Sequence, residues 1–211
     1  MTVCIYKDNE LHADGRCTSA NGTLITDTFK KIGYVYENLD DGTRTVNTPS
    51  DMNNYEIFAM YAFAGEVEQL GKFLRWVCVT THPTVDIEFD DDILEPTVTV
   101  DYDCVAIQAL LIFSDMDIVR SYSSNYEEHL YVDHSKDQFI SIGSGSSAAL
   151  AIYRHDPSLT TKEIIESVFK ISITCGGQIR SISLDTSPTS LEKILDTPKT
   201  IKNKLTTWFK K

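Results

Sequence analysis

Thr2-Val3-Cys4-Ile5-Tyr6-Lys7-Asp8-Asn9-Glu10-Leu11-His12-Ala13-Asp14 opens the chain. Residues 2–7 alternate as a strand does, Asp8-Asn9 sits where a tight turn belongs, and residues 10–14 read as the returning strand. Ala20-Asn21-Gly22 marks another turn, and 23–36 holds one or two more strands. Residues 37–54 are polar and read as a long hairpin loop or insertion. The apolar run 56–63 predicts a buried strand that ends at Ala64-Gly65.

A helix is expected next, with Val67, Leu70, Phe73, Leu74, Val77 and Cys78 on one face, closed at Pro83. An acidic segment at 86–95 precedes an apolar strand at 104–113. Two weaker strands are expected near 117–132, and 138–142 leads into Gly143-Ser144-Gly145. Residues 146–155 read as a helix stopped by Asp156-Pro157. Thr160-Thr161-Lys162-Glu163 is a capping box that starts a second helix, with Ile164, Ile165, Val168 and Phe169 inward. Cys175-Gly176-Gly177 breaks it, 178–184 alternates as a strand, and short helices are expected after Pro188 and Pro198. Strands and helices arrive in blocks. That order favours antiparallel sheets layered between helices over a parallel doubly wound fold.

Composition narrows the function classes. The 211 residues are 42% hydrophobic, enough for a substantial core in one domain. No stretch approaches the ~20 apolar residues of a membrane span, and residues 1–20 lack the apolar core of a signal peptide. The five cysteines are scattered without a CxxC pair, so no zinc site or disulfide framework is indicated and a reducing, cytoplasmic location is expected. A net charge of -12 argues against nucleic-acid binding by the body of the protein. Lysines 193, 199, 202, 204, 210 and 211 make the end of the chain basic. Ile201, Leu205 and Trp208 there suggest an amphipathic helix suited to a subunit contact. The five histidines show no ligand spacing, and His12 reads as a strand-face residue. The acidic run 90–92 reads as a solvated loop rather than a cation site.

Thr2 carries the most specific chemistry. A small residue after the initiator Met can become the N-terminus, and Thr2 would then hold a hydroxyl and a free α-amine together. The amine, with an unperturbed pKa of about 7.7–8.0, is suited to act as the hydroxyl's general base. If Met1 stays, no such amine exists.

The ordered set Thr2, Ala13-Asp14-Gly15-Arg16-Cys17-Thr18, Lys30-Lys31-Ile32, Phe63-Ala64-Gly65 and Ile142-Gly143-Ser144-Gly145 resembles the N-terminal-nucleophile hydrolases of the proteasome β-subunit and HslV-like family. The resemblance covers about residues 2–184 and implies an α+β, four-layer αββα sandwich of two antiparallel sheets. It implies a domain over 1–184, with 185–211 as a basic helical C-terminal extension. By resemblance Thr2 is the nucleophile of a threonine peptidase, and Lys31 lies near its hydroxyl. Asp14 pairs with Lys31, Gly65 lends its N–H to the oxyanion, and Ser144 hydrogen-bonds around the amine. The bland readings are a surface lysine pair, a turn aspartate, a turn glycine and a helix N-cap serine.

Three departures stand out. Each strand of the first hairpin is two residues short, an even change that keeps Thr2 and Asp14 convergent. The 37–54 loop is long. Ser172, with Thr174 next, stands where active members carry an Asp. The alternative is therefore a catalytically inactive assembly or binding module, with a non-peptide amidase as a third reading. The resemblance also implies a homo-oligomer acting on peptide or unfolded protein, with an unfoldase ATPase as a candidate partner. It implies no cofactor, metal, nucleic acid or membrane.

Overall fold

The opening hairpin closes on a two-residue turn. β1 (Cys4–Lys7) pairs antiparallel with β2 (Glu10–Ala13), placing Lys7 opposite Glu10. Asp8 and Asn9 have φ of 53° and 61°. Positive φ at both central positions belongs to the type I′ turn, whose twist matches the flanking strands, and Asp and Asn tolerate it without glycine. The computed structural model describes residues 2–18, 22–79, 107–124, 129–184 and 193–195, and every structural statement below concerns those residues.

β3 (Cys17–Thr18) and β4 (Leu24–Thr26) form a small ribbon. β5 (Ile32–Asn38), β6 (Arg44–Thr45) and β7 (Tyr55–Ala64) follow, then α1 (Val67–Val79). β8 (Ile107–Phe113), β9 (Ile118–Ser124), β10 (His129–Ser135) and β11 (Ile140–Ile142) precede the helix pair α2 (Ser146–His155) and α3 (Thr161–Ile171). β12 (Ile179–Ser183) and β13 (Lys193–Leu195) finish the described chain.

The larger strands build two sheets. One has the order β11-β1-β2-β12-β13, the other β10-β9-β8-β7-β5-β6, and every pairing is antiparallel. Three apolar clusters hold the layers. Cys4, Tyr6, Leu11, Ile32, Met60 and Leu110 lie between the two sheets. Phe63, Phe73, Val77, Leu111 and Phe113 join the six-stranded sheet to α1. Val3, Ile5, Ala149, Ile164, Ile165 and Val168 join the five-stranded sheet to α2 and α3. The layer order is helix, sheet, sheet, helix. β1 is thus buried on both faces, because one face meets the partner sheet and the other meets helices.

Local signals account for most boundaries. The Thr160 side chain accepts from the Glu163 N–H while Glu163 reaches back to the Thr160 N–H, the expected capping box of α3. On α1, Phe73 and Val77 are buried, but Val67 is exposed, so the apolar face starts a turn later than its periodicity suggests. The polar stretch 37–54 is not wholly loop. β6 pairs with β5 there, Arg44 Nε donates to Glu37 at 2.6 Å, and its guanidinium lies 3.7 Å over the Phe58 ring. Residues 193–195, expected in a helix, are a strand on β12; the free edge of β12 offers backbone partners that outweigh weak local helix preference. Pro83, the acidic segment 86–95 and the stretch 196–211 lie outside the described residues. No helix among those described is long and apolar enough to cross a membrane.

One ion pair on the six-stranded sheet carries a stability prediction. Arg120 is nearly buried, and its Nε and Nη2 donate to Asp133 at 2.6 and 2.7 Å. That hydrogen bonding holds the Asp133 carboxyl below the ordinary carboxylate range. A depressed carboxylate contributes stability that is fully present above its unfolded pKa and is lost as pH falls through its folded pKa. Asp133 is 39% exposed, so screening keeps the effect modest. Asp133→Asn is expected to cost about 1–2 kcal/mol in denaturant unfolding near neutral pH. The difference from wild type should fade in acid.

Candidate active site

Three strand ends of one sheet face three of the other. Thr2 leads into β1, whose neighbours are β11 on one side and β2 on the other. Gly143 follows β11 and Asp14 follows β2. In the opposing sheet, Gln108 lies near the start of β8, Gly65 follows the end of β7, and Lys31 precedes β5. β8 packs on β11, β7 on β1 and β5 on β2. The fold therefore gathers Thr2, Asp14, Lys31, Gly65 and Ser144 at one end of the sandwich.

Asp14 is the hub. Its side chain is 0% exposed, and Oδ1 accepts from Lys31 Nζ at 2.7 Å and from the Val3 N–H at 3.0 Å. Oδ2 accepts from the Gly176 N–H at 3.0 Å. One carboxylate thus holds a buried ammonium, the residue next to Thr2, and the loop after α3. Charge-assisted bonds of this kind are short and directional. Lys30 is exposed and Lys31 buried, just ahead of β5.

Thr2 is itself buried, 6% exposed. Its N–H donates to Ser144 Oγ at 3.1 Å. Its carbonyl accepts from the Gly145 N–H at 3.0 Å, and Ser144 Oγ lies 3.4 Å from the same oxygen. Ser144 is not the N-cap of α2; Gly145 holds that position without a side-chain bond. Gly143 has φ of +90°, and a Cβ there would stand 2.3 Å from the Thr2 carbonyl oxygen. A side chain at Gly143 would have to push Thr2 aside. Gly65 is exposed in the bend between β7 and α1, where a Cβ would stand 3.1 Å from Ile107 and 3.2 Å from the Phe63 ring.

Two further residues belong to this end of the fold and were not among the expected site residues. The Cys175 thiol contacts the side chains of Ser172 and Ser144, and burial pushes its pKa up. Ser172 Oγ lies 2.9 Å from Thr174 Oγ1. Among the described residues the Cys175 thiol thus links Ser144 to Ser172, which carries a hydroxyl and not a carboxylate. Gln108 is the other: the Gly143 N–H donates to its Oε1 at 2.6 Å. Cys175 was legible only as part of a helix-breaking Cys-Gly-Gly. Gln108 sits 35 residues from Gly143, and no local pattern links them. His12 is a buried strand residue, as expected, with Nε2 2.9 Å from Glu10.

No protein-family model matches the chain, and no curated protein matches it. Among solved structures it is similar to Anbu from Hyphomicrobium sp. strain MC1, with a TM-score of 0.50 and 12% identity, covering 93% of this chain and 87% of that one. It is also similar to eukaryotic HslV from Trypanosoma brucei, with a TM-score of 0.45 and 10% identity, covering 86% of this chain and 98% of that one. At such identity the likeness speaks to the fold alone. With the layer order above, the fold is an α+β, four-layer αββα sandwich of two antiparallel sheets, like that of Anbu.

Proposed function

We propose that this chain is a threonine-type peptidase that uses Thr2 as its nucleophile once Met1 has been removed. The observation that carries the reading is the double anchoring of the nucleophile's backbone. Ser144 takes the Thr2 N–H, while Asp14 ties Val3 to the Lys31 ammonium. Removal of Met1 turns the nitrogen beside Ser144 into a primary amine.

The reaction follows from those groups. The neutral amine takes the proton of the Thr2 hydroxyl as Oγ attacks the carbonyl carbon of a peptide bond. The fixed charge of Lys31 favours the developing alkoxide. The Gly65 N–H donates to the tetrahedral oxyanion. The C–N bond then breaks, and the leaving amine takes the proton held by the Thr2 ammonium. Water attacks the resulting ester, the amine again acting as base. The product carboxylate leaves and Thr2 is restored. None of these steps needs a metal or an organic cofactor. The proposal extends to peptide or unfolded-protein substrates, a homo-oligomer in the cytoplasm and an ATPase unfoldase as partner.

Ser172 favours a second reading, a catalytically inactive assembly or binding module. Its hydroxyl bonds Thr174 and contacts Cys175, so this position offers the amine no carboxylate. One experiment separates the two. The intact mass of purified, untagged protein is measured before and after exposure to an electrophilic peptide. Loss of the Met1 mass and one adduct mapped to Thr2 support the peptidase. Retained Met1 on folded protein, or no adduct on Thr2, supports the inactive module.

A further inference from the structure

Lys31–Asp14 ties the two sheets together on one side of Thr2. On the other side, Gln108 reaches from β8 to Gly143, just past β11, and Oε1 accepts the Gly143 N–H at 2.6 Å. We infer that Gln108 is a positioning residue: it clasps the Gly143-Ser144 turn to the opposing sheet and so fixes the gap between Thr2 and Gly65. This rests on the threonine-peptidase reading above.

The register supports the placement. Gln108 pairs directly with Ala64, the residue before Gly65. The clasp therefore ties the turn that holds Thr2 to the strand pair that carries the oxyanion donor. Gly143 cannot move without consequence at Thr2. Its φ of +90° brings it against the Thr2 carbonyl, Ser144 takes the Thr2 N–H, and Gly145 donates to the Thr2 carbonyl. A displacement of Gly143 is thus passed to both ends of the Thr2 backbone. The bond also settles the orientation of the carboxamide. A backbone N–H is a donor, so the Gln108 oxygen, not its nitrogen, faces Gly143.

A clasp at the exposed end of a strand adds little to global stability. Gln108 is exposed, and water can replace it at the Gly143 N–H. Its effect falls on geometry, and a shift near 1 Å between reacting groups costs a rate on the order of 10²-fold.

The test compares wild type, Gln108→Met and Gln108→Glu, with labelling of Thr2 by an electrophilic peptide followed over time by mass spectrometry. Met keeps the length but removes the acceptor; Glu restores one. Gln108→Met should lower the maximal labelling rate by about 10–100-fold with little change in the concentration for half-maximal rate. Its Tm should stay within about 2–4 °C of wild type. Gln108→Glu should recover most of the rate. Its added negative charge near the amine should move the acid limb of the pH profile to higher pH. Wild-type labelling rate in Gln108→Met overturns the inference. So does Gln108→Glu labelling as slowly as Gln108→Met at its own pH optimum. If wild type itself is not labelled at Thr2, the peptidase reading fails and the inference falls with it. The wild-type control thus separates that failure from a failure of Gln108 alone.

Discussion

Thr2→Ala is expected to abolish adduct formation and peptide hydrolysis, a loss on the order of 10⁴-fold or more, as for removal of other primary nucleophiles. The fold should be intact. Two hydrogen bonds of Thr2 run through its backbone, to Ser144 Oγ and from the Gly145 N–H, and alanine keeps both. Alanine is also small, so Met1 removal remains possible to score by mass and is not what the variant alters. Thr2→Ser keeps a hydroxyl and an amine on one residue and should retain much of the rate. Labelling at Cys4, Cys78 or Cys175 is a weak competitor. Burial pushes the thiols of Cys4, Cys78 and Cys175 upward, which leaves them protonated and poorly nucleophilic. An adduct rate unchanged in Thr2→Ala would place the nucleophile elsewhere and defeat the peptidase reading. Function retained in full by Thr2→Ala would instead support the inactive module.

Ser172 bears on how fast the wild type should be. A carboxylate near the amine would favour its protonated form and assist proton return to the leaving group. Here Ser172 offers only a hydroxyl, which bonds Thr174 and lies against the Cys175 thiol beside Ser144. The amine then depends on hydrogen bonds for its orientation. That arrangement explains why the turn carrying Ser144 is held so closely, through Gly143, Gly145 and Gln108.

Much of the fold was legible because local chemistry and global packing agree. The first hairpin follows from alternation around Asp8-Asn9, α3 from its capping box, and α2 from its run between Gly145 and Asp156. β6 was not legible. Arg44 and Glu37 make it a strand through an ion pair and stacking on Phe58, and neither is a local signal. β13 was missed for a similar reason, since the open edge of β12 decides its conformation. At the site, Thr2, Asp14 and Lys31 could be found because each sits at a strand end within an ordered set of motifs. Gln108 and Cys175 could not. Their roles exist only once β8 faces β11 and the loop after α3 folds back onto Ser144.

The Asp14–Lys31 pair should be costly to break in both stability and reactivity, and the two partners should differ. Lys31→Met leaves a fully buried carboxylate that still accepts the Val3 and Gly176 N–H groups. Asp14→Asn leaves a buried ammonium facing a neutral amide, and it also trades an acceptor for a donor beside two backbone N–H groups. Breaking a buried pair by removing one partner costs about 3–5 kcal/mol, a large share of a stability of about 5–15 kcal/mol. Asp14→Asn should lie at the upper end and Lys31→Met at the lower. The double variant should be less unstable than the sum of the singles, because both buried charges of the pair are then removed together. Lys31→Arg should not rescue, since a guanidinium is larger and planar and Asp14 Oδ1 already holds the Val3 N–H. Denaturant unfolding of the four proteins measures the coupling. Thr2 labelling, done below each variant's Tm, measures the chemistry. All variants should label at least about 10²-fold more slowly than wild type, as when one preorganised charge is removed from a site. A Lys31→Met protein that is folded and labels at the wild-type rate would confine the pair to a structural role. The alkoxide would then have to be stabilised without Lys31, and the proposed mechanism would lose its cation.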